Sequence, residues 1–369
     1  MKWIFWLSFV LLVYTYFGYA LLLWLQVRLR RRPTLFFPIT PTVTIVIAAR
    51  NEEANLPTKL ENLRKLEYPQ DRLQIVIVSD GSTDRTSDIL REYAAMICPV
   101  FLESSCGKAC ALNVAVQRAT GEILVFLDVR QRVEQDAIRE LVSCFADATV
   151  GAVSGELLLE YETSASTSEA MGIYWKIEKI VRRLESESGS VVGVTGAIYA
   201  IRRELYSEMP CGTILDDVFI PMQVARAGKR VIFQPAAIAR DHVFSEKGKE
   251  FSRKVRTLTG NYQLLRLAPW LLSSANPLLF RLISHKLLRL TAPLLLLLML
   301  LAAAISSGPF YRVAFWVQIF FYGLALIGWM RPSTRKYKLI AISHLFVSLN
   351  VTAVIAFNNF VMGRSNVWV

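Results

Sequence analysis

The stretch VTIVIAARNEE, residues 43–53, is an apolar, β-branched run that ends in charged and polar residues. The same pattern returns in QIVIVSDGSTD at 74–84 and in ILVFLDVR at 123–130. Short apolar runs of this kind predict buried strands, and the polar residues then fall where each strand ends. Because parallel sheets bind ligands beyond the carboxyl ends of their strands, we expect these turns to meet in one crevice.

Helical segments are predicted between these strands. Leucines recur at the spacing of one helix face in 55–66, and further helices are predicted at 84–95, 109–119 and 134–145. The alternation of strand and helix predicts an α/β domain with a doubly wound, Rossmann-like sheet.

The N-terminus predicts a membrane anchor. The chain of 369 residues is 53% hydrophobic, which is high for a soluble domain of this length. Trp3–Leu25 has no charged residue and is long enough to span a bilayer, and arginines follow at once in 26–32. Such arginine-rich flanks lie in the cytoplasm. A cleaved signal peptide is the alternative, but the stretch is too long and no small-x-small site precedes the arginines.

Three further spans are predicted near the C-terminus, at Leu287–Ser306, Val313–Met330 and Leu339–Val361. The basic loop Arg331–Lys338 between the last two indicates a cytoplasmic side. Both basic loops then fit one path, in which residues 27–285 are cytosolic and both termini lie outside.

The chain is thereby divided into four parts. Residues 1–26 form the N-terminal transmembrane anchor, 40–263 the cytosolic domain, and 286–369 a C-terminal transmembrane region with three spans. Residues 264–285 mix arginines, prolines and leucines, which predicts amphipathic helices in the membrane interface. A hydrophobic core segment is the alternative interpretation of 264–282.

The formal net charge of +12 lies largely beside the membrane segments. Membrane lipid with anionic head groups accounts for it, and no nucleic acid is expected as a partner because no binding signature accompanies the charge. All five cysteines fall in the predicted cytosolic part, where free thiols are expected. No zinc site is expected, since Cys106 and Cys110 have no nearby histidine and no second cysteine pair.

An ordered set of motifs carries a family resemblance. The motifs are Ala49-Arg50-Asn51-Glu52-Glu53, Val78-Ser79-Asp80-Gly81-Ser82-Thr83-Asp84, Gly107-Lys108-Ala109-Cys110-Ala111-Leu112-Asn113 and Leu127-Asp128. They resemble the nucleotide-sugar half of the family 2 glycosyltransferases with the GT-A fold. Val194-Thr195-Gly196-Ala197 and Asp216-Asp217 resemble the acceptor-side motifs of that family. The flanking spans resemble those of membrane-bound polysaccharide synthases and ceramide glucosyltransferase-like members.

The resemblance implies the donor contacts. Asp80 would bind the uracil or the ribose, and Arg50 and Glu52, beside Ala49 on the first loop, would hold ribose and base. Lys108 would reach the base or a phosphate. The alternatives are a helix cap for Asp80 and a solvated side chain for Lys108.

Asp128 matches the first Asp of the D-x-D pair of the family, which holds Mg²⁺ or Mn²⁺ against the diphosphate. This chain has Arg130 where a second Asp is usual. Either the metal is held by Asp128 with phosphates and waters, or Arg130 itself pairs with the diphosphate and lessens the need for a metal.

Asp217 matches the catalytic base of the family, which accepts the proton of the acceptor hydroxyl, and Asp216 would orient that segment. The alternative is a pair of solvated loop aspartates. Thr195 and Gly196 would shape the acceptor pocket, since glycine lets a sugar approach the backbone closely. Glu156 is the next candidate for the base.

Synthases of the family usually carry Q-x-x-R-W on an interface helix, where this chain has Arg253-Lys254-Val255-Arg256-Thr257. Arg253 and Arg256 are assigned to the donor diphosphate. The Gln and the Trp are absent, and with the Trp the usual stacking surface for an acceptor sugar. A basic helix face that rests on lipid is the alternative.

The predicted function is that of a membrane-bound inverting glycosyltransferase of the bacterial plasma or inner membrane, with a cytosolic catalytic domain. It would transfer a sugar from a UDP-sugar to a glycan or lipid-linked acceptor in exopolysaccharide or cell-envelope synthesis, with export proteins as partners. Two alternatives stay open. One is transfer of a single sugar to a ceramide- or polyprenyl-like lipid, and the other is a non-catalytic scaffold that binds sugar nucleotides.

Overall fold

The computed structural model describes residues 1–161, 166–243 and 249–364. The helices are α1 (Lys2–Val13), α2 (Tyr19–Leu29), α3 (Leu56–Arg64), α4 (Thr86–Glu92), α5 (Lys108–Gln117), α6 (Ala137–Ser143), α7 (Ser166–Ser188), α8 (Asp216–Arg226), α9 (Lys249–Leu267), α10 (Leu279–Leu282), α11 (Leu288–Ile305), α12 (Pro309–Met330) and α13 (Lys338–Val361). The strands are β1 (Val43–Ala49), β2 (Leu73–Asp80), β3 (Cys98–Leu102), β4 (Ile123–Leu127), β5 (Arg132–Val133), β6 (Val150–Tyr161), β7 (Ile198–Arg202) and β8 (Arg230–Val243).

The strands form one sheet in the order β3-β2-β1-β4-β7-β6-β8-β5. Strands β3, β2, β1 and β4 are parallel, as a doubly wound sheet requires. The other half is mixed, because β7 runs antiparallel to β4 and β6, while β6 is parallel to β8 and β5 antiparallel to β8. The predicted strands 43–49 and 123–127 are confirmed, whereas β2 extends to Asp80 and includes residues that were predicted as a turn.

Both faces of the parallel half are buried, which explains its uninterrupted apolar runs. Every residue of β1 is buried. Ile45 and Ile47 pack with Leu60 of α3 on one face, and Val46 packs with Leu112 of α5 on the other. Helices therefore cover the sheet on both sides and leave its strand ends for ligands.

Four helices among the described residues are long and apolar enough to cross a membrane: Lys2–Leu29, Leu279–Ile305, Pro309–Met330 and Lys338–Val361. One precedes the sheet domain and three follow it, which agrees with the predicted N- and C-terminal transmembrane helices. A π turn at Ile283–Leu287 joins α10 to α11, so residues 279–285, predicted as interfacial, continue into the first of the three. The predicted domain boundary at 285 stays a prediction.

Two long helices outside the sheet, α7 and α9, contact the apolar helices. α7 packs against α2 and α13, and α9 packs against α13. α7 leaves Trp175, Ile177 and Ile180 exposed. These helices connect the sheet domain to the apolar helices on that side.

Cys110 in α5 and Cys211 before α8 form a disulfide, with Cα atoms 5.0 Å apart. The expectation of free thiols is therefore wrong for these two, whereas Cys98, Cys106 and Cys144 are free. The two partners are 101 positions apart, so only the packing of the loop before α8 against α5 brings them together.

Candidate active site

The loops that follow β1 and β2 are joined by hydrogen bonds. Asn51, whose φ of 53° lies in the left-handed region, accepts at Oδ1 from the Thr83 amide at 2.9 Å. The Glu53 amide donates to Asp84 Oδ2 at 3.2 Å, and the Arg85 amide donates to Glu53 Oε2 at 3.0 Å. The two predicted turns therefore lie together at the carboxyl edge of the parallel strands.

Asp80 is fully buried at the end of β2. Its Oδ1 accepts from the Cys106 amide at 2.8 Å, and its Oδ2 accepts from the Gly107 amide at 3.0 Å and from Ser105 Oγ at 2.9 Å. The carboxylate thus fastens the loop at the start of α5. Its assignment to uracil or ribose stays a prediction, and three of its about four acceptor positions are already used by these hydrogen bonds.

Ala49, Arg50 and Glu52 lie at the end of β1 and on the loop after it. Ala49 is buried, and Arg50 makes no ion pair with another described residue. Burial raises the pKa of the Glu52 carboxyl, although Asn55 Nδ2 donates to its Oε2 at 2.7 Å. The donor contacts assigned to these three residues stay predictions.

Lys108 connects the loop after β4 with the start of α8. Its Nζ lies 3.0 Å from Asp128 Oδ1 and 3.3 Å from Asp216 Oδ2, and its side chain is only 18% exposed. Burial lowers the pKa of the Lys108 ammonium, but Asp128 and Asp216 raise it more, so the group stays charged. The alternative of a solvated lysine is therefore wrong.

Arg130 has a protein partner that neither hypothesis included. Its Nη2 donates to Asp241 in β8, a buried carboxylate that also accepts from Gln131 Nε2 at 3.1 Å. The Arg130 Nε is buried and has no hydrogen-bond partner within the described residues. One side of the guanidinium is thus committed to β8, and the contact with a diphosphate stays a prediction for its other nitrogens.

Asp128 directly follows β4, and its carboxylate side chain is 37% exposed, so a cation could reach it. Within residues 1–161, 166–243 and 249–364, no three His, Cys, Asp or Glu side chains are grouped so that they could hold a metal ion. A divalent cation at Asp128 would therefore need oxygens from the donor phosphates, an arrangement that Mg²⁺ often adopts. The residues present fit a site that is shared in this way.

Asp216 and Asp217 are the first residues of α8, where the helix dipole favours carboxylates. Asp216 is buried and accepts from the Tyr199 hydroxyl at 3.4 Å, in addition to its contact with Lys108. Asp217 is half-buried beside Gly196, where an added Cβ would lie 3.5 Å from Asp217 Oδ2. The alternative of two solvated loop aspartates is therefore wrong.

The pKa of Asp217 is raised to about 6. Burial is the largest cause and Asp216 adds to it, while Lys286, Lys108 and Arg182 act in the opposite direction. Such a carboxylate is ionised at neutral pH and more basic than an exposed aspartate, which suits a general base. By contrast, Glu156, the second candidate for the base, is paired with Lys179 at 2.5 Å.

Thr195 is buried between β6 and α7. Its Oγ1 accepts from Arg182 Nη1 at 2.7 Å, and its amide donates to Ser154 Oγ at 2.9 Å. The hydroxyl therefore positions Arg182, and it is Gly196 that faces Asp217 directly. The acceptor contacts assigned to Thr195 and Gly196 stay predictions.

Helix α9 holds the segment that precedes Asp216. Gln263 Oε1 accepts from the Ile214 amide at 3.0 Å, and Gln263 Nε2 donates to the Gly212 carbonyl at 2.9 Å. A Cβ at Gly260 would lie 2.9 Å from Ile214 Cγ2, so only glycine allows this close contact. α9 thereby fixes the start of α8.

Arg256 lies about one turn before Gly260 and so on the same face of α9. Its Nε is buried without a hydrogen-bond partner in the described part of the chain. A buried nitrogen of this kind is a candidate for an anionic ligand. Arg253 is exposed one turn earlier, and both arginines remain predicted contacts of the diphosphate.

Three residues near the site escaped the sequence reasoning: Arg182 of α7, Gln263 of α9 and Lys286 of the helix Leu279–Ile305. None lies in a motif, and each reaches the site from a helix outside the sheet. No sequence signal marked Lys286, because the predicted span begins at Leu287 and basic residues are common at the edge of a span.

The sheet domain is similar in sequence to known proteins. Residues 44–209 match the sequence profile of Glycosyl transferase family 2. The chain is 27% identical over 213 residues to the probable glycosyltransferase YdaM of Bacillus subtilis, which covers 54% of this chain and 50% of that protein. It is 23% identical over 243 residues to poly-beta-1,6-N-acetyl-D-glucosamine synthase of Staphylococcus aureus, which covers 64% of this chain and 58% of that protein. The chain thus spans about half the length of the curated relatives it matches.

The fold is shared over the whole chain with a solved structure. Mannosyltransferase PcManGT from Pyrobaculum calidifontis, in complex with GDP-Man and Mn²⁺, superimposes with a TM-score of 0.72 at 24% sequence identity. The match covers 98% of this chain and 99% of that one. Together with the family match, it confirms the predicted GT-A fold with apolar helices at both ends.

Proposed function

We propose that this chain, which carries a glycosyl transferase family 2 domain, transfers a sugar with inversion from a nucleotide sugar to an acceptor hydroxyl at a membrane surface. The proposed donor is a UDP-sugar, and the proposed acceptor is a glycan or a lipid-linked molecule of exopolysaccharide or cell-envelope synthesis. The Staphylococcus aureus relative, named as a polysaccharide synthase, supports a role of this kind.

The observation that carries the proposal is the position of Lys108. Its ammonium contacts Asp128 of the donor half and Asp216 of the acceptor half, next to Asp217. Motifs almost a hundred residues apart thus form one site with a carboxylate of raised pKa at its centre. Such a site can act on a donor and an acceptor that are held side by side.

In the proposed reaction, the acceptor hydroxyl oxygen attacks the anomeric carbon of the donor sugar and its proton passes to Asp217. The bond between that carbon and the diphosphate oxygen breaks, and the nucleoside diphosphate leaves with the electron pair. Lys108 stabilises the developing negative charge on the leaving group. Arg256, whose buried Nε has no hydrogen-bond partner within the described residues, is proposed to bind the same group.

A divalent cation, Mg²⁺ or Mn²⁺, is proposed to bind Asp128 together with the donor diphosphate. When bound, it would neutralise charge on the leaving group. Asp128 is suited to this role because its side chain is partly exposed, although Lys108 competes for the same carboxylate oxygen. Binding of the cation is therefore expected to depend on the donor, because the protein alone would bind the cation weakly.

Transfer of a single sugar to a lipid is the second candidate function. α9 lacks the Q-x-x-R-W motif of the family synthases, and α7 and α9 bring the acceptor half against the apolar helices. A non-catalytic scaffold is less well supported, because the raised pKa of Asp217 and the buried Lys108 have no use in a domain that only binds a nucleotide.

The sheet domain is proposed to face the cytosol, where nucleotide sugars are made. The arginines after α2 and the basic loop Arg331–Lys338 both favour that side. A reporter that is active only outside the cytoplasm, fused after Val369, should be active, and one fused at Thr34 should be silent. The reverse result would place the sheet domain outside.

The enzymatic proposal is tested with the full-length protein purified in detergent or supplied in membranes. The protein receives a panel of radiolabelled UDP- and GDP-sugars with membrane glycans and lipids as acceptors, and the products are identified by mass spectrometry. Wild type should label an acceptor with one or a few donors. Asp217→Asn should lower kcat by about a hundred- to ten-thousandfold with little change in donor affinity, because it removes the base alone.

Asp71→Asn is the matched control, since Asp71 is exposed at the opposite end of β2 from the site. It should retain wild-type turnover. If wild type labels nothing with the whole panel while it still binds nucleotide sugars, the scaffold hypothesis replaces the proposed function. Full activity of a folded Asp217→Asn variant would move the base to another residue.

A further inference from the structure

Lys286 reaches the acceptor side of the site from a membrane helix. It belongs to the helix Leu279–Ile305, and its Cε lies 3.7 Å from the position that a Cβ would take on Gly193. The same Cβ position is 3.3 Å from the Asp217 carbonyl oxygen. The Lys286 ammonium also lowers the pKa of Asp217, against the larger effect of burial, so the two charges act on each other.

The two glutamates nearest Lys286 in the fold, Glu178 and Glu185, are paired with other cations. His285 Nε2 and Arg289 Nη1 lie 3.0 and 2.8 Å from the two oxygens of Glu178, and His285 Nδ1 lies 2.9 Å from Glu185 Oε1. Within the described residues, no carboxylate oxygen lies within the 4.0 Å of an ion pair from the Lys286 ammonium. Lys286 is thus the cation of this cluster that has capacity for a further anion.

Arg182 is a second cation beside the same position. Its Nη1 donates to Thr195 Oγ1 at 2.7 Å, which holds the guanidinium near the acceptor motif. Its Nε lies 3.7 Å from Glu178 Oε1, longer than a charge-assisted hydrogen bond. Arg182 from α7 and Lys286 from the membrane helix therefore both act on the charge of Asp217.

The surroundings of these two cations are apolar and adjoin the membrane helices. α7 packs against α2 and α13, and it leaves Trp175, Ile177 and Ile180 exposed. Next to Lys286, Phe280 and Ile283 are exposed as well. A lipid head group at the membrane surface could reach Lys286 while its chains stay among these side chains.

We propose that Lys286 and Arg182 bind the phosphate of an anionic lipid acceptor and so place a hydroxyl of its head group at Asp217. This inference rests on the proposed function, whose reaction it leaves unchanged: oxygen bonds to the anomeric carbon, the diphosphate leaves, and the proton goes to Asp217. The two cations do not react. They select an acceptor that carries a negative charge beside its hydroxyl and lies in the membrane.

The test uses full-length protein in phosphatidylcholine vesicles with the donor found in the panel. Three acceptor probes are compared: the anionic lipids of the source membranes, separated by anion exchange, the neutral lipids of the same extract, and the water-soluble head groups released from the anionic lipids by deacylation. Labelled lipid should form with the anionic fraction alone. Labelling of neutral lipid, or equal use of the free head groups, would overturn the proposal.

Lys286→Met should raise the acceptor KM by about ten- to a hundredfold, the usual effect of losing a charged hydrogen bond, with little change in donor affinity. Lys286→Arg should restore most of the acceptor affinity. The matched control is Lys176→Met, because Lys176 is exposed on α7 and makes no ion pair within the described residues. Its acceptor KM should stay within about twofold, since an exposed charge contributes little.

A positioning role toward Asp217 would give a different result. Lys286→Met would then lower kcat and move the acid limb of the pH profile to higher pH, with an unchanged acceptor KM, and this outcome overturns the proposal. Unchanged donor affinity shows that the variant is folded, and Lys286→Gln provides a second, polar variant. If wild type labels no acceptor, the proposed function itself fails, whereas labelling of neutral or soluble acceptors removes only the anionic lipid.

Discussion

The donor half and the acceptor half of this site are built in opposite ways. The donor half consists of the ends of strands β1, β2 and β4 with short loops, and hydrogen bonds join the loops after β1 and β2. The acceptor half takes Asp217 from α8, Thr195 from the loop before β7, Arg182 from α7 and Lys286 from a membrane helix. A half built from neighbouring strand ends of one sheet is therefore joined to a half built mostly from helices outside the sheet.

The geometry of the two halves therefore depends on different elements of the fold. The donor half is fixed by a buried parallel sheet, whose strands set the positions of its loops. The acceptor half depends on how α7, α9 and the apolar helices pack, and a change in any of them alters the surroundings of Asp217. Lys108 contacts both halves, through Asp128 and Asp216, so its substitution tests most directly whether they work together.

Lys108→Met should have the largest effect. It leaves Asp128 and Asp216 without their shared cation and removes a group that would stabilise the leaving diphosphate, so we expect kcat to fall by about a thousandfold. Lys108→Arg keeps the charge and should recover part of the activity. Steady-state kinetics with the full-length protein measure both, and Lys65→Met, an exposed lysine after α3, is the control. A Lys108→Met variant with normal kcat would mean that the halves work independently.

Asp128→Asn should have the next largest effect, and only on the donor half. It removes the proposed cation ligand, so kcat should fall by about a hundredfold and the dependence on Mn²⁺ or Mg²⁺ should weaken. The acceptor KM should not change, because Asp217, Arg182 and Lys286 are untouched. Titration of activity with each metal checks this, and an unaltered metal dependence would remove Asp128 from the cation site.

The pH profile of kcat/KM sharpens the assignment of the acceptor half. Asp217 must be ionised to accept a proton, and its pKa is raised to about 6 by burial and by Asp216. Activity should therefore fall as the pH drops below about 6, by about tenfold at pH 5. Asp216→Asn removes the neighbouring negative charge, so it should move this limb to lower pH. An acid limb that stays in place in Asp216→Asn would exclude Asp217 as the titrating base.

The Arg130–Asp241 pair should give the smallest effect on activity, because it ties the guanidinium on the loop after β4 to β8. Arg130→Met leaves a buried carboxylate without its partner, which should lower the free energy of unfolding by about 1–3 kcal/mol. Asp241→Asn added to Arg130→Met should recover part of that loss, which a double-mutant cycle of denaturant unfolding measures. A large loss of kcat in Arg130→Met with unchanged stability would instead assign Arg130 to the diphosphate.

The sequence by itself determined the parallel half of the fold and the number of apolar spans. Strands 43–49 and 123–127 were predictable because burial on both faces demands uninterrupted apolar runs. The spans were predictable because a bilayer demands about twenty apolar residues in succession. The turn residues of the donor half followed from the same reasoning, since a loop at a strand end takes its place from the strand.

Only the tertiary structure decided the partners of the charged side chains. Sequence spacing could not show that Lys108 bridges Asp128 and Asp216, that Arg130 pairs with Asp241, or that Asp80 accepts hydrogen bonds from the loop before α5. Each contact joins separate elements. The sequence contains several carboxylates that could pair with each cation, and only the packing of the elements decides which of them lies within reach.

The acceptor half shows most clearly that the sequence does not reveal which distant segments meet at the site. α7 lies between two motifs and was not predicted, yet it supplies Arg182, and Lys286 comes from a stretch that hydrophobicity alone assigns to the membrane. Hydrophobic periodicity specifies which face of a helix is buried, but it does not specify which neighbour covers it. The sequence therefore determined the strand-end motifs and the apolar spans, while the packing of α7 and of the helix Leu279–Ile305 decided what surrounds Asp217.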